Sequence, residues 1–167
     1  EAAVTGSEST TSASLTVTLS EASKKSVTVD YATADQTATA GQDYTETTGT
    51  LTFEPGDTAK TIEVPVLADS VDELDETLAV SLSNPTNATI ADAEAILTIA
   101  DDDEAPVLSV ADVITGSEIA TTATLAVTLS AASGKTVTVD YATADQTATA
   151  GQDYTETTGT LTFEPGD

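Results

Sequence analysis

The stretch VTVDYATADQTATAGQDYTETTGTLTFEPGD, residues 27–57, recurs letter for letter as residues 137–167. The offset between the two copies is 137 − 27 = 110, and a looser match extends the repeat back to TGSE at 5–8 and 115–118. Self-similarity at a fixed period indicates copies of one domain type in tandem. The chain therefore holds one full period, 1–110, and the beginning of the next, 111–167.

Apolar residues alternate with polar ones along the period, as in LTVTL at 15–19, VTVDY at 27–31 and LAVSL at 78–82. A period of two predicts strands that bury one face, and two antiparallel sheets packed face to face. EPGD at 54–57 and NPTN at 84–87 supply turn residues between such runs. About seven short strands per period are typical of immunoglobulin domains. We therefore expect an all-β fold of immunoglobulin-like antiparallel β-sandwich repeats in tandem.

The boundary between repeats is expected at the acidic run Asp101–Glu104, where one strand-like segment ends and another begins. We predict a first repeat at 1–103 that lacks its opening strand, the counterpart of APVLSV at 105–110. The second repeat, 104–167, is an N-terminal part that stops before its acidic loop. Either the chain is a window on a longer array, or neighbouring chains supply the missing strand by β-strand addition.

Composition excludes several classes of function. The chain has 29 acidic residues against 4 lysines, a formal net charge of −25, so we expect no nucleic acid and no anionic membrane surface as partner. Histidine and cysteine are absent, which removes imidazole bases, thiol nucleophiles and disulfides. No run approaches the roughly 18 apolar residues that cross a membrane, so we expect no membrane insertion. Hard cations, which take oxygen ligands, remain possible.

Acidic residues gather at four predicted strand ends. In an antiparallel sandwich every second loop lies at the same end, so distant clusters can converge. Converging carboxylates repel unless a cation neutralises them, and a hard cation takes 6–8 oxygens. The alternative is that these are solvated turn residues. The clusters comprise Glu8; Asp43; Asp69, Asp72, Glu73, Asp75 and Glu76; and Asp101, Asp102, Asp103 and Glu104.

Four ordered motifs resemble one known family. They are Y-x-T-A-D-x-T-A-x-A-G-x-D-Y at 31–44, G-T-L-T-F-E-P-G-D at 49–57, D-S-V-D-E-L-D-E-T-L at 69–78 and I-x-D-D-D at 99–103. Together they resemble the Calx-beta repeat over essentially the whole chain. That family includes the cytoplasmic calcium sensors of sodium–calcium exchangers and many repeats of cell-surface proteins.

The resemblance implies Ca²⁺ at the end of the sandwich where one repeat meets the next. The backbone carbonyl of Val71 is a further candidate ligand. Ala68 stands where richer sites of the family carry another acidic residue, so we expect one or two ions. The implied side-chain ligands are Glu8, Asp43, Asp69, Glu73, Glu76, Asp101, Asp102 and Asp103 in the first repeat, and Glu118 and Asp153 in the second.

We therefore expect a non-enzymatic, calcium-binding structural repeat of a large extracellular or cell-surface protein, such as an adhesin, matrix protein or filament. Calcium at the seams between neighbouring repeats would stiffen the array, with an affinity in the weak range of roughly 10⁻⁴–10⁻³ M. One alternative is a regulatory calcium-sensor module. Another is a self-assembling fibre subunit that binds other copies by β-strand addition. A glycosidase is disfavoured because the acids lie in turns without an aromatic-lined cleft.

Overall fold

A computed structural model describes residues 4–114 and 122–167. Those residues form strands, turns and loops, and no helix among them is long and apolar enough to cross a membrane. The chain divides into two compact units. The first unit comprises Glu1–Ser70 and Leu74–Asp102, and the second comprises Val71–Glu73 and Asp103–Asp167.

The first unit is a sandwich of two sheets. Its larger sheet has the strand order β1-β7-β6-β3-β4, and its smaller sheet pairs β2 with β5. This confirms the predicted all-β sandwich. The strands are β1 (Val4–Ser7), β2 (Ser12–Thr18), β3 (Val27–Asp35), β4 (Thr48–Phe53), β5 (Ala59–Pro65), β6 (Glu76–Thr86) and β7 (Glu94–Ala100).

The core of the first unit follows the period-two pattern of its strands. Leu15 of β2 pairs with Ile62 of β5, and both point inward while the threonines beside them face solvent. Leu97 of β7 is 1% exposed. Burying one Val, Leu or Ile side chain stabilises a fold by about 1.5–3 kcal/mol. The main core comprises Ala13, Leu15, Ala38, Tyr44, Ile62, Val64, Val66, Leu78, Val80, Leu97 and Ile99.

One pairing departs from the predicted antiparallel sheets. Strand β1 runs parallel to β7, with Ser7 opposite Ala100. The short β1 sequence, VTGS, is too brief to show an alternating pattern, so the sequence contained no signal for this strand. The pairing continues one residue further, because the N–H of Glu8 donates to the carbonyl of Ala100 at 3.2 Å.

The NPTN segment at 84–87, predicted as a turn, belongs largely to β6, which ends at Thr86. It forms a β-bulge near the end of β6, because the register with β3 shifts between Thr28 and Asp30. Asn84 and Asn87 adopt positive φ angles of 50° and 60°, which asparagine tolerates better than most residues. A bulge is also one of the few places where a sheet accepts proline.

The second unit repeats part of this architecture. Its strands are β8 (Leu108–Val110), β9 (Val127–Leu129), β10 (Val137–Ala142) and β11 (Thr158–Phe163). Strand β8 lies within the predicted opening strand at 105–110 and pairs with β9. Strands β10 and β11 pair in the register of β3 and β4, with Val137 opposite Phe163. The second TGSE segment, with Glu118, lies outside the described residues.

Tyr44 anchors the loop that follows β3. Its ring is 1% exposed, and its hydroxyl donates to Asp35 Oδ1 at 2.6 Å. Burial, and then the neighbouring Asp35 carboxylate, raises the pKa of Tyr44 to about 12. The hydrogen bonds from Tyr44 and from the Ala40 N–H hold the pKa of Asp35 below its ordinary value. Both shifts favour the neutral phenol beside a charged carboxylate.

We expect the free energy of unfolding to fall as the pH rises from about 10 to about 12. The unfolded chain ionises Tyr44 near the ordinary tyrosine pKa of 10.0, whereas the folded protein keeps the proton until the pH reaches about 12. A group whose pKa is higher in the folded protein stabilises the fold fully at a pH below its unfolded pKa. That stabilisation is lost as the pH rises through the folded pKa. Urea unfolding midpoints across this range measure the loss.

Tyr44→Phe should remove that part of the pH dependence. Tyr154→Phe is the matched control, because Tyr154 makes the same 2.6 Å bond to Asp145 but is only half-buried. An equal slope in wild type and Tyr44→Phe would contradict the expectation.

Candidate metal centre

Three strands bring carboxylates to one end of the five-stranded sheet. Ser7, the last residue of β1, lies beside Ala100, the last residue of β7, because the two strands are parallel. Strand β6 is antiparallel to β7, so its first residue, Glu76, lies opposite Ile99. The residues that follow β1 and β7, namely Glu8 and Asp101, therefore meet at the same edge as the start of β6.

A compact group of carboxylates forms at this edge. Glu8, Asp102 and the following residue Asp103 each offer one carboxylate oxygen, and these oxygens all lie within 4.8 Å of one another. Oxygens that bind one Ca²⁺ lie 2.3–2.6 Å from the ion, so two of them are separated by at most about 5 Å. An all-oxygen donor set with this spacing fits a hard cation. Glu8 is 7% exposed, so the group reaches into the protein.

Serine hydroxyls hold Asp102 in its charged form. Ser7 Oγ donates to Asp102 Oδ2 at 2.8 Å. Hydrogen bonds from Ser9 and then Ser7 keep the pKa of Asp102 below its ordinary value. A carboxylate that stays charged remains available to a cation. These serines were not predicted from the sequence, although their place on either side of Glu8 in TGSEST could have pointed to them.

Further carboxylate oxygens are buried in the first unit. Glu8 Oε2, Glu76 Oε2 and Asp101 Oδ1 are each almost fully shielded from solvent. The backbone N–H of Asp101 donates to Asp75 Oδ1 at 3.2 Å, which brings the acidic loop to the end of β7. Burying negative charge is costly unless positive charge compensates it. The first unit thus concentrates negative charge where β1, β6 and β7 meet.

Asp43 lies in a tight turn next to the acidic loop. Gly41 opens this turn with a φ of 88°, a conformation that favours glycine. Asp43 Oδ2 accepts the N–H of Thr39 at 2.6 Å, and the Asp43 carbonyl accepts the N–H of Leu67 at 2.9 Å. Asp69, which follows Leu67 closely in sequence, is exposed. Among the described residues, neither Asp43 nor Asp69 belongs to the group of three carboxylates.

Two further predicted ligands, Glu73 and Asp153, lie in the second unit. Glu73 belongs there with Asp72, whose carboxylate accepts a 2.6 Å hydrogen bond from Lys135 Nζ. Asp153 repeats the turn of Asp43, because its Oδ2 accepts the N–H of Thr149 at 2.8 Å. Glu118 lies outside the described residues. The pairing of Asp72 with Lys135 was not predicted from the sequence.

Comparison with known proteins identifies relatives of this chain. A family model described as the Calx-beta domain matches residues 1–103 and 101–167. Sodium/calcium exchanger 1 of Canis lupus familiaris is 34% identical over 158 residues, covering 81% of this chain and 16% of the exchanger. Sodium/calcium exchanger 2 of Homo sapiens is 34% identical over 154 residues, covering 81% and 17%. The chain spans about a sixth of the length of these relatives.

Solved structures show the same likeness. The calcium binding domain CBD12 of CALX1.1 aligns with a TM-score of 0.58 and 29% identity, covering 96% of this chain and 67% of that chain. The apo-form Calx CBD1 domain aligns with a TM-score of 0.55 and 31% identity, covering 59% of this chain and 89% of that chain.

The predicted extracellular or cell-surface location was wrong. The relatives are sodium/calcium exchangers, in which these domains form a cytoplasmic regulatory loop of a membrane protein. The prediction had rested on the letter-for-letter repeat of 27–57 as 137–167 and on the cell-surface members of the family. An exact repeat records duplication of a segment, and a chain without cysteine folds equally well in a reducing compartment, so neither feature carried information about location.

We expect Asp102→Asn to lower the thermal unfolding midpoint of the protein in EDTA. The hydrogen bonds from Ser9 and Ser7 that lower the pKa of Asp102 stabilise its charged form in the folded protein, and a neutral amide accepts them less strongly. Asp92→Asn is the control, since it removes the same charge from an exposed loop before β7, at the strand's other end. A midpoint for Asp102→Asn above that of Asp92→Asn would show that repulsion in the group outweighs these hydrogen bonds.

Proposed function

The chain belongs to the Calx-beta domain family, and on that premise we propose that it is a non-catalytic regulatory module that binds Ca²⁺. Calx-beta domains bind Ca²⁺. The proposed site is the group formed by Glu8, Asp102 and Asp103. The observation that carries the proposal is their spacing, because three carboxylate oxygens within 4.8 Å suit a single hard cation.

Other residues would complete the coordination. Glu76 and Asp101 belong to the same end of the sheet and each has a buried carboxylate oxygen. Ca²⁺ takes 6–8 oxygens, so three carboxylates leave room for these residues and for water. Asp43, Asp69 and Glu73 stay predicted ligands of the first repeat, and Glu118 and Asp153 stay predicted ligands of the second.

The proposed regulatory role rests on the two segments that the ion would connect, the end of β1 and the linker after β7. Glu8 follows β1, whereas Asp102 and Asp103 lie at the proposed boundary between the repeats 1–103 and 104–167. An ion held by both would tie the linker to the edge of the sheet and neutralise its charge. Release of the ion would leave the carboxylates to repel one another. The linker would thus be held against the sheet with calcium and released without it. This change in the linker could alter the state of an attached domain.

A structural role is the second candidate. The letter-for-letter recurrence of 27–57 as 137–167 favours it, because a spacer needs number whereas a sensor needs individually tuned sites. In that case calcium at each seam would stiffen an array of repeats. Neighbouring repeats are partners in both cases. A filament with strands exchanged between chains stays a prediction.

Calcium affinity separates the two candidates. Sensor sites bind with dissociation constants of about 10⁻⁷–10⁻⁵ M, whereas the sites of extracellular modules, which do not act as sensors, bind with about 10⁻⁴–10⁻³ M. Titration of the whole chain by isothermal calorimetry measures this constant. A value in the lower range supports regulation, and a value in the higher range supports the spacer.

We expect Asp102→Asn to weaken calcium binding by about tenfold or more, because it removes a charged ligand from the group. Asp92→Asn should bind calcium like the wild type. If no heat of binding appears up to several times 10⁻³ M calcium, the group is a solvated acidic linker and the proposed function fails. Equal affinities of Asp102→Asn and the wild type would place the site elsewhere.

A further inference from the structure

The segment Val71–Glu73 lies against the turn Ser133–Lys135 within the second unit. Asp72 forms a parallel β-bridge with Ser133, and the carbonyl of Asp72 accepts the N–H of Gly134 at 2.9 Å. Ser133 Oγ lies 3.1 Å from that carbonyl and 3.0 Å from Asp72 Oδ2, where it donates. Ser133 is 1% exposed and Asp72 is 7% exposed. The turn thus binds the segment through the backbone N–H of Gly134 and through the buried hydroxyl of Ser133.

Charge reinforces this contact. Lys135 Nζ donates to Asp72 Oδ1 at 2.6 Å. This lysine is the main reason why the pKa of Asp72 lies below its ordinary value. The carboxylate of Asp72 is therefore held by an ammonium on one oxygen and by a hydroxyl on the other.

Among the described residues, the first unit contains the same turn with no such segment hydrogen-bonded to it. The N–H of Lys25 donates to Ser23 Oγ at 2.9 Å, and the N–H of Gly56 donates to the carbonyl of Ser23 at 3.0 Å. In the second unit, the N–H of Lys135 donates to Ser133 Oγ at 3.1 Å, and the N–H of Gly166 donates to the carbonyl of Ser133 at 2.8 Å. The two turns therefore present a serine hydroxyl and a lysine ammonium from the same local scaffold.

The turn of the first unit is open to solvent. Lys24 and Lys25 are exposed and Ser23 is half-buried, whereas the equivalent Ser133 is buried. In the part of the chain that the structure describes, neither Lys24 nor Lys25 forms a salt bridge, whereas Lys60 pairs with Asp57 at 2.8 Å. The chain has only four lysines and 29 acidic residues, and three of the lysines lie at the two copies of this turn.

We propose that Ser23–Lys25 is a docking site for the Val-Asp-Glu segment, residues 71–73, of a second copy of this repeat. The partner is a repeat joined ahead of this one in register. The spacing allows it, because Lys25 is the counterpart of Lys135 one repeat earlier. Suppose that a copy of residues 1–110 is joined ahead of Glu1. The separation along the chain between the Asp72 of that copy and Lys25 then equals the separation between Asp72 and Lys135 in the present chain. The proposal does not depend on calcium binding.

One difference between the turns changes the details of docking. Lys24 occupies the position of Gly134, where a Cβ atom would come within 2.7 Å of Glu73 Cγ. Glu73 has a flexible side chain, so the docked copy would turn it aside. The ammonium of Lys24 then offers that carboxylate a partner of opposite charge. The docked segment would therefore engage two lysines at Ser23–Lys25, where the second unit has one.

Disulfide trapping tests the proposal, because the chain has no cysteine. The protein is the whole chain lengthened at its N terminus by a copy of residues 1–110, in EDTA. The test pair is Asp72→Cys in the added copy with Ser23→Cys in the original chain. The reference pair is Asp72→Cys with Ser133→Cys, both in the original chain. Thr45→Cys, at an exposed position in the same unit as Ser23, replaces Ser23→Cys as the negative control.

We expect the Ser23 pair to cross-link as fully as the Ser133 pair, and several-fold more than the Thr45 pair. Adding Lys24→Gln should lower the yield of the Ser23 pair several-fold, because Glu73, the partner proposed for Lys24, is still present in the docked segment. Lys60→Gln, which removes the same charge elsewhere, should leave the yield unchanged. A Ser23 yield no higher than that of Thr45 would overturn the proposal. Failure of the Ser133 pair would overturn it too, because the contact from which it is inferred would then be absent. Neither result alters the calcium titration, which tests the proposed function separately.

Discussion

The parallel pairing of β1 with β7 is the constraint on which the metal end of the protein depends. It sets Ser7 beside Ala100, so the next residues along both strands, Glu8 and Asp101, leave the sheet together. A shift of one residue would turn every side chain of β1 to the other face. Glu8 would then point away from Asp102, and Ser7 could not donate to that carboxylate. The proposed ligand group therefore depends on one very short strand.

Electrostatic repulsion opposes the folding of so acidic a chain, and positive charge at particular places compensates part of it. With a net charge of −25, self-repulsion opposes the compact state, and bringing carboxylates within 4.8 Å adds to it. A divalent cation at the end of the sheet would offset part of that cost. Lys135 compensates charge elsewhere, because it neutralises the buried carboxylate of Asp72. Metal and ammonium thus compensate acidic residues at different places.

Much of the fold was predictable because a strand's alternation is local. Leu15 and Ile62 could be assigned to buried faces from their own neighbours in sequence, and both point into the core. The bulge at Asn84 was not predictable, since NPTN has the composition of a turn and only the pairing of β6 with β3 shows that the strand continues. The almost complete burial of Tyr44 was not predictable either, because it depends on strands that are far away in sequence.

The sequence by itself determined the repeat, the β-sandwich class and a chemistry limited to oxygen ligands and hard cations, because these follow from composition and from short-range periodicity. Only the tertiary structure decided which carboxylates meet. It gathers Glu8, Asp102 and Asp103, leaves Asp43 capping its own turn, and joins Asp72 to Lys135. The physical reason is that strand register and direction arise from long-range pairing, and a carboxylate's role depends on whether its nearest neighbour is another carboxylate, a backbone N–H or an ammonium.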